Sequence, residues 1–252
     1  MPGEAERQAF ADAGWLVIDP GLVPAVLDRA REDAERLIRE RPYDPESPDR
    51  VQDAWRASRA VHEVAIAPRV LEALQALYGR RARPFQTLNF AVGTEQRAHA
   101  DTVHFNSRPA GFMCGVWVAL EDIDERAGPV FYLPGTHRWP ELTPADWGAE
   151  PGSEHYDRYE AHIAARVAAE GIEPVPALLR KGEALLWAGN LLHGGAPRID
   201  PQRTRHSQVT HYFFSSCEYW TPLRSGPDHV EVRHPHWIPT KSSRRLLRPL
   251  GR

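Results

Sequence analysis

The sequence predicts a mainly β protein, a sandwich or barrel of short strands behind a helical N-terminal third. Three observations lead there. Beyond Pro84 the chain breaks into short runs rich in β-branched and aromatic residues, each closed by a turn signal. Those runs are evenly spaced, and the connections between them are too short for βαβ crossovers. Before Pro84, apolar residues instead recur at three- and four-residue steps, the mark of amphipathic helices.

The elements follow in order. "EAERQAFADAG" predicts a short helix stopped by Gly14, and "WLVI" (15–18) a brief strand closed by Pro20. From Val23 to about Glu40, Leu27, Ala30, Ala34, Leu37 and Ile38 share one helix face. "RPYDPESPDR" reads as a proline-rich loop, followed by helices near 51–60 and 67–78, the last ending at Gly79. Strands are expected in "FQTLNFAV", "FMCGVWVAL", "PVFYLP", "EALLWAG" and "SQVTHYFF", with "DERAG", "PGTH" and "RKGE" as turns. One long interruption, 139–176, carries a helical stretch of its own, "EHYDRYEAHIAARVAAEG". A segment of that length is either a substrate-facing lid or padding against the sheet. No composition break divides the 252 residues, so one domain is expected: a helical part over 1–82, a β core over about 84–217 and the insertion.

The formal net charge of −3 argues against a broad nucleic-acid footprint. No run approaches 18 apolar residues, so no membrane span is expected, and no apolar stretch after a basic start marks a signal peptide. Cys114 and Cys217 are far apart and form no C-x-x-C pair. A reducing, cytoplasmic setting is the simplest expectation. Oligomeric state is not legible.

The chemistry concentrates in "RAHADTVHF" (97–105). His99 and Asp101 stand two residues apart, with a further histidine at His104. A solvated loop, a pH-sensitive cluster and a metal site all remain open on that stretch alone. On an extended chain His99 and Asp101 share a face, roughly 6–7 Å apart at about 3.3 Å per residue. An imidazole with a carboxylate suits a divalent transition metal. A third ligand is offered by His193 in "EALLWAGNLLHGGAP", ahead of a double glycine that would let backbone pass near a bound ligand. Two histidines and one carboxylate on one octahedral face are the facial triad of non-haem Fe(II) oxygenases. In "RTRHSQVTHYFF", Arg205, Ser207, Val209 and His211 share one strand face. An arginine with a serine two residues on can hold a small carboxylate through paired N–H bonds and a hydroxyl. Arg203 is the rival anchor. Arg205 is expected to face the same cavity as His193 from an adjoining strand.

The order "QRAHAD…GVWVALEDID…GPVFYLPGTH…LLHGG…R-x-S" resembles the phytanoyl-CoA dioxygenase family of Fe(II)/2-oxoglutarate oxygenases. The resemblance runs from "GWLVIDPGLV" to about residue 222. It implies a double-stranded β-helix (jelly-roll, cupin-like) core, iron held by His99, Asp101 and His193, and 2-oxoglutarate held by Arg205, with Ser207 beside it. Trp117 matches a family tryptophan that lines the cosubstrate pocket. Thr136 and His137 match a structural Pro-Gly-Ser-His turn. The family often has a serine two residues past its distal histidine, where this chain has Gly195, so one cosubstrate hydrogen bond is missing or replaced. Retention of Asp101 speaks against the related halogenases.

The implied activity is hydroxylation of a small molecule with O2, releasing succinate and CO2. The same cycle can desaturate, epimerise or cyclise. A non-catalytic jelly-roll sensor of metal and a small acid is the alternative from another class, and a hydrolytic zinc site lacks a neighbouring general base. His104, Phe105 and His211 are candidate substrate-side residues. Each has a plainer reading, as a half-exposed turn histidine, a core phenylalanine and a hydrogen-bonded core histidine. The Tyr156/Tyr159/Ile163/Val167 stripe reads as helix packing. No basic cluster suited to CoA adjoins the motif, since Lys181 and Lys241 are the only lysines. Selectivity is expected in 139–176 and 218–240, loops carried by a rigid scaffold.

Overall fold

A computed structural model describes residues 2–42, 44 and 48–240. Tyr43 and residues 45–47 of the proline-rich loop, and Lys241 with the residues after it, lie outside the described residues. The N-terminal part holds α1 (Glu4–Ala13), β1 (Trp15–Ile18), α2 (Pro24–Glu40), β2 (Arg50–Gln52), α3 (Arg59–Ala65) and α4 (Pro68–Tyr78). There follow β3 (Ala82–Phe90), β4 (Asn106–Arg108), β5 (Met113–Ala119), β6 (Val130–Tyr132), α5 (Tyr156–Glu170) and β7 (Val175–Pro176). The chain ends in β8 (Ala184–Ala188), β9 (His193–Gly195), β10 (Ser207–Phe214) and β11 (Glu218–Trp220).

Six strands form one sheet in the order β1-β8-β5-β10-β3-β2, and three form a second, β7-β6-β9. Every pairing in both is antiparallel. The helices explain why the central strands of the large sheet read as near-continuous apolar runs: they are buried on both faces. One face of β5, Cys114, Val116 and Val118, packs with Ala184 and Leu186 of β8 against Leu27, Val61, Val70 and Leu74 of the helices. The alternate residues, Trp117, Ala119, Leu185, Trp187 and Val209, pack with Val130 and Tyr132 of the second sheet. Each fully buried leucine or valine in these layers contributes roughly 1.5–3 kcal/mol relative to exposure.

Polar residues tie the helical layer down. Gln208 donates to the Val61 carbonyl at 3.0 Å and accepts from Asn89 at 3.2 Å. Ser58 caps α3 by accepting from the Val61 N–H and donates to the buried Asp33 of α2 at 2.7 Å.

Two sequence expectations need correction here. The helix expected near 51–60 is the edge strand β2, a short turn and then α3. Val51 pairs with Asn89, and Asp53 in the left-handed region breaks the chain before a helix can start. β3 begins at Ala82, ahead of Pro84. Because Pro84 has no N–H to donate, the register with β10 shifts between His211 and Tyr212, leaving Phe85 as an extra residue beside the cavity.

Candidate metal centre and its cavity

His99 and His193 meet first through their backbones. They form an isolated antiparallel bridge, with His99 N–H donating to the His193 carbonyl at 2.9 Å and the reverse bond at 3.0 Å. Paired residues project their side chains to the same side, and the two rings lie 4.5 Å apart, centroid to centroid. Asp101 reaches the same point by a different route. Residues 97–103 are not a continuous strand. The chain leaves the bridge at His99 and turns into a 3-10 segment, Asp101–Val103, with the His104 and Phe105 N–H groups both donating to the Asp101 carbonyl at 2.9 Å.

The outcome is a buried cluster. One ligand atom from each of His99, Asp101 and His193 lies within 4.8 Å of the other two. The Nδ1 of His99 bonds the Arg97 carbonyl at 2.9 Å, and that of His193 the Leu191 carbonyl at 3.0 Å. Each bond fixes the tautomer and leaves Nε2 with its lone pair facing inward. The Gln96 amide donates to His99 Nε2 at 3.4 Å. Burial and the neighbouring His193 push the His99 imidazole down to about 4, so it is neutral and able to ligate at neutral pH. Burial alone would raise the Asp101 carboxyl. The imidazoles of His193, His211 and His99 and the Trp187 N–H outweigh it and hold the group ionised.

The cluster opens on a cavity of about 270 Å³. Arg205 also lines it, 2 % exposed. Its Nη1 donates to Ser207 Oγ at 3.0 Å, its Nε has no partner, and among the described residues no carboxylate reaches it at ion-pair distance. Burial brings the guanidinium down to about 10, opposed by Glu121, so it is cationic at neutral pH. Phe90 and Trp117 flank it at 5.5 and 5.7 Å, and the indole N–H of Trp117 is likewise buried without a partner. A buried cation with orphaned donors facing a cavity is a site for an anion. The donor set thus fits a divalent metal at one end and a small dicarboxylate reaching to the other.

Arg203 lies on the surface, paired with Asp124 at 2.9 Å and Asp200 at 3.3 Å, away from the cavity. His193 and Arg205 face the cavity from different sheets rather than from adjoining strands, β9 in the small sheet and the approach to β10 in the large one. Ser207 braces Arg205 and is not a lining residue. His104, Phe105 and His211 all line the cavity. His211 donates from Nδ1 to Gln86 Oε1 at 2.8 Å, and its Nε2 stands 3.7 Å from Asp101 Oδ2. Phe105 packs edge-on against Phe85 at 5.4 Å.

Residues 10–207 match the phytanoyl-CoA dioxygenase (PhyH) family along the whole stretch that carries this cluster. The chain belongs to the phytanoyl-CoA dioxygenase family. Enzymes of this family are 2-oxoglutarate-dependent oxygenases, with iron as metal and 2-oxoglutarate as cosubstrate. Phytanoyl-CoA dioxygenase domain-containing protein 1 of Danio rerio is 29 % identical over 136 residues, 52 % of this chain and 43 % of that protein. Peroxisomal phytanoyl-CoA dioxygenase of Bos taurus is 23 % identical over 260 residues, 90 % of this chain and 73 % of that one. The match therefore spans less than half of the Danio rerio relative. Among solved structures, the epimerase SnoN in complex with Fe3+, alpha ketoglutarate and nogalamycin RO superposes with a TM-score of 0.68 at 21 % identity, covering 89 % of this chain and 90 % of that one. The carbocyclase SnoK from nogalamycin biosynthesis gives 0.71 at 14 %, covering 86 % of each chain. These likenesses place the fold beside that of 2-oxoglutarate oxygenases.

Gly194 lines the cavity, and the double glycine has a second role that the sequence did not suggest. A Cβ on Gly194 would stand 2.6 Å from the Gln96 carbonyl, and one on Gly195 would stand 2.8 Å from the Glu95 nitrogen and 2.9 Å from Thr94 Oγ1. The glycines admit the segment 94–96 of this same chain, which is held through Gly195 N–H to the Gln96 carbonyl at 2.8 Å. A serine at 195 has no room.

Sequence reasoning missed Trp187, Gln86 and Gln96, all cavity-lining, while Tyr159 packs as its helix stripe implies and adds a hydrogen bond the stripe did not signal. The Tyr159 hydroxyl accepts from the Ala100 N–H at 2.9 Å, the peptide between the two motif residues. Tyr159 and Ile163 of α5 are buried with Ala100, Val103 and Leu192, so the insertion's helix braces the motif loop. Period-2 alternation with Leu185 was the available signal for Trp187, and a glutamine in an otherwise apolar strand was the signal for Gln86.

Proposed function

We propose that the chain is an Fe(II)- and 2-oxoglutarate-dependent oxygenase that hydroxylates a small-molecule intermediate, with release of succinate and CO2. One observation carries the reading: the His99, Asp101 and His193 donors and the unpaired, buried Arg205 open onto a single cavity. On this reading the two antiparallel sheets are the walls of a double-stranded β-helix. His99, Asp101 and His193 hold Fe(II), and Arg205, kept in place by Ser207, receives the far carboxylate of 2-oxoglutarate beside Trp117. Bound iron with the oxo acid supplies activation of O2 and oxidation of an unactivated C–H bond. The protein's own part is placement. Phe90 and Trp117 exclude water around the guanidinium, which strengthens its pairing with a carboxylate. His104, Phe105, His211 and Gln86 form the wall left for the prime substrate.

The cavity is small and polar on that wall, which supports a compact metabolite or natural-product intermediate over a long acyl thioester. Lys181, the single lysine among the described residues, pairs with Asp28 away from the cavity. No helix among the described residues is long and apolar enough to cross a membrane. Both cysteines are free thiols, which agrees with a cytoplasmic setting.

The test is 2-oxoglutarate turnover by the full chain with Fe(II), ascorbate and a panel of small metabolites, read as succinate formed. Succinate that depends on Fe(II), 2-oxoglutarate and a prime substrate supports the oxygenase. Tight binding of Mn(II) and 2-oxoglutarate with no succinate across the panel favours a sensor.

A further inference from the structure

Trp187 stands behind the metal cluster on β8, 2 % exposed. Its Nε1–H donates to Asp101 Oδ2 at 2.8 Å, and its ring centroid lies 4.5 Å from that of His193. The two oxygens of Asp101 thereby have different neighbours. Oδ2 accepts from the indole N–H and stands 3.7 Å from His211 Nε2, while Oδ1 stands 3.7 Å from His193 Nε2. A carboxylate free to swing can offer both oxygens to a cation. One held by a buried N–H offers a single oxygen, because releasing the other would leave an indole donor unpaired in an apolar wall.

The indole's place is made by a glycine on the next strand. Gly115 pairs with Trp187 in register across β5 and β8. A Cβ at Gly115 would stand 2.3 Å from Trp187 Cε2 and 2.5 Å from Nε1. Any side chain there moves the N–H off the carboxylate. Two residues in an apolar strand reading, a glycine and a tryptophan, thus converge on one oxygen of the metal cluster.

We propose that Trp187, seated by Gly115, is a positioning residue that commits Asp101 to hold the metal through one oxygen, keeping the remaining coordination positions for cosubstrate and oxygen. The proposal rests on His99, Asp101 and His193 being the metal ligands. Partners of this kind around a ligand typically tune metal affinity 10- to 100-fold.

Co(II) is the probe, titrated into the full chain and followed by its visible absorption, with melting of the metal-free protein as control. Trp187→Phe keeps a flat apolar ring and removes the donor. Its Co(II) affinity is expected to fall roughly 10- to 100-fold with a changed band shape, as the carboxylate gains freedom. Site-specific 3-benzothienylalanine at position 187, which keeps the bicyclic outline and lacks the N–H, is expected to show the same change with unchanged melting. If either folded variant keeps wild-type affinity and spectrum, Trp187 only fills space and the proposal is overturned. If the wild-type chain itself binds no Co(II), the ligand assignment fails first, and this inference with it.

Discussion

His99 and His193, 94 positions apart in the chain, are locked side by side by a reciprocal pair of backbone hydrogen bonds of 2.9 and 3.0 Å. The bridge sets the spacing of their rings, and the turn that follows brings Asp101 to the same point.

Asp101 is the carboxylate of that cluster, and replacing it with Ala leaves the His99 and His193 imidazoles without an anionic partner. Loss of Mn(II) or Fe(II) affinity beyond the roughly 100-fold upper range of outer partners is expected. Calorimetric titration with Mn(II) measures it. Wild-type affinity in Asp101→Ala would remove the carboxylate from the metal assignment.

Arg205 and Arg203 separate cleanly. Charge-assisted hydrogen bonds of the buried guanidinium are worth about 1.5–3 kcal/mol, so Arg205→Ala is expected to raise the 2-oxoglutarate requirement by roughly 10- to 100-fold or more while Mn(II) still binds. Arg203→Ala breaks only surface pairs with Asp124 and Asp200 and leaves it unchanged. The KM for 2-oxoglutarate in the two variants is the measurement, and the reverse pattern contradicts the assignment.

Tyr159→Phe removes one hydroxyl and strands the Ala100 N–H inside the motif loop. A stability loss of about 1–3 kcal/mol follows from an unsatisfied buried donor. Urea unfolding of the metal-free protein checks this, and because the loop carries two of the proposed ligands, Mn(II) affinity is expected to fall with it. A neutral substitution would reduce α5 to padding.

Gly195→Ser restores the residue that the family often carries and is expected to harm this chain. The new Cβ meets the Glu95 nitrogen and the Thr94 hydroxyl inside 3.0 Å. Overpacking of that kind costs about 1–3 kcal/mol, visible as a lower melting temperature. A stable variant that binds 2-oxoglutarate more tightly would show that segment 94–96 yields easily.

Much of this site could be read from residues alone because its chemistry uses rare residue types in a fixed order. His99, Asp101, His193 and Arg205 stand out against their surroundings, and five short strands with the N-terminal helices follow from periodicity. The pattern failed where local and tertiary preferences compete. Residues 51–60 carry helix-like spacing, yet Val51 is claimed as an edge partner by Asn89. His99 and Asp101 were expected on one strand face, yet a 3-10 turn begins between them. Trp187 and Gly115 carry no motif at all, since an indole in an apolar strand looks like core.

By itself the sequence determined which atoms are available: three candidate ligating side chains, an arginine two residues ahead of an apolar strand and an alternating apolar scaffold, each set by residue type and local period. Only the tertiary structure decided where they point. The bridged histidines, the different neighbours of the two Asp101 oxygens and the exclusion of a side chain at Gly195 all depend on segments distant in sequence approaching within a few ångströms. No local pattern encodes such distances, because they are fixed by how the two sheets and the helical layer pack.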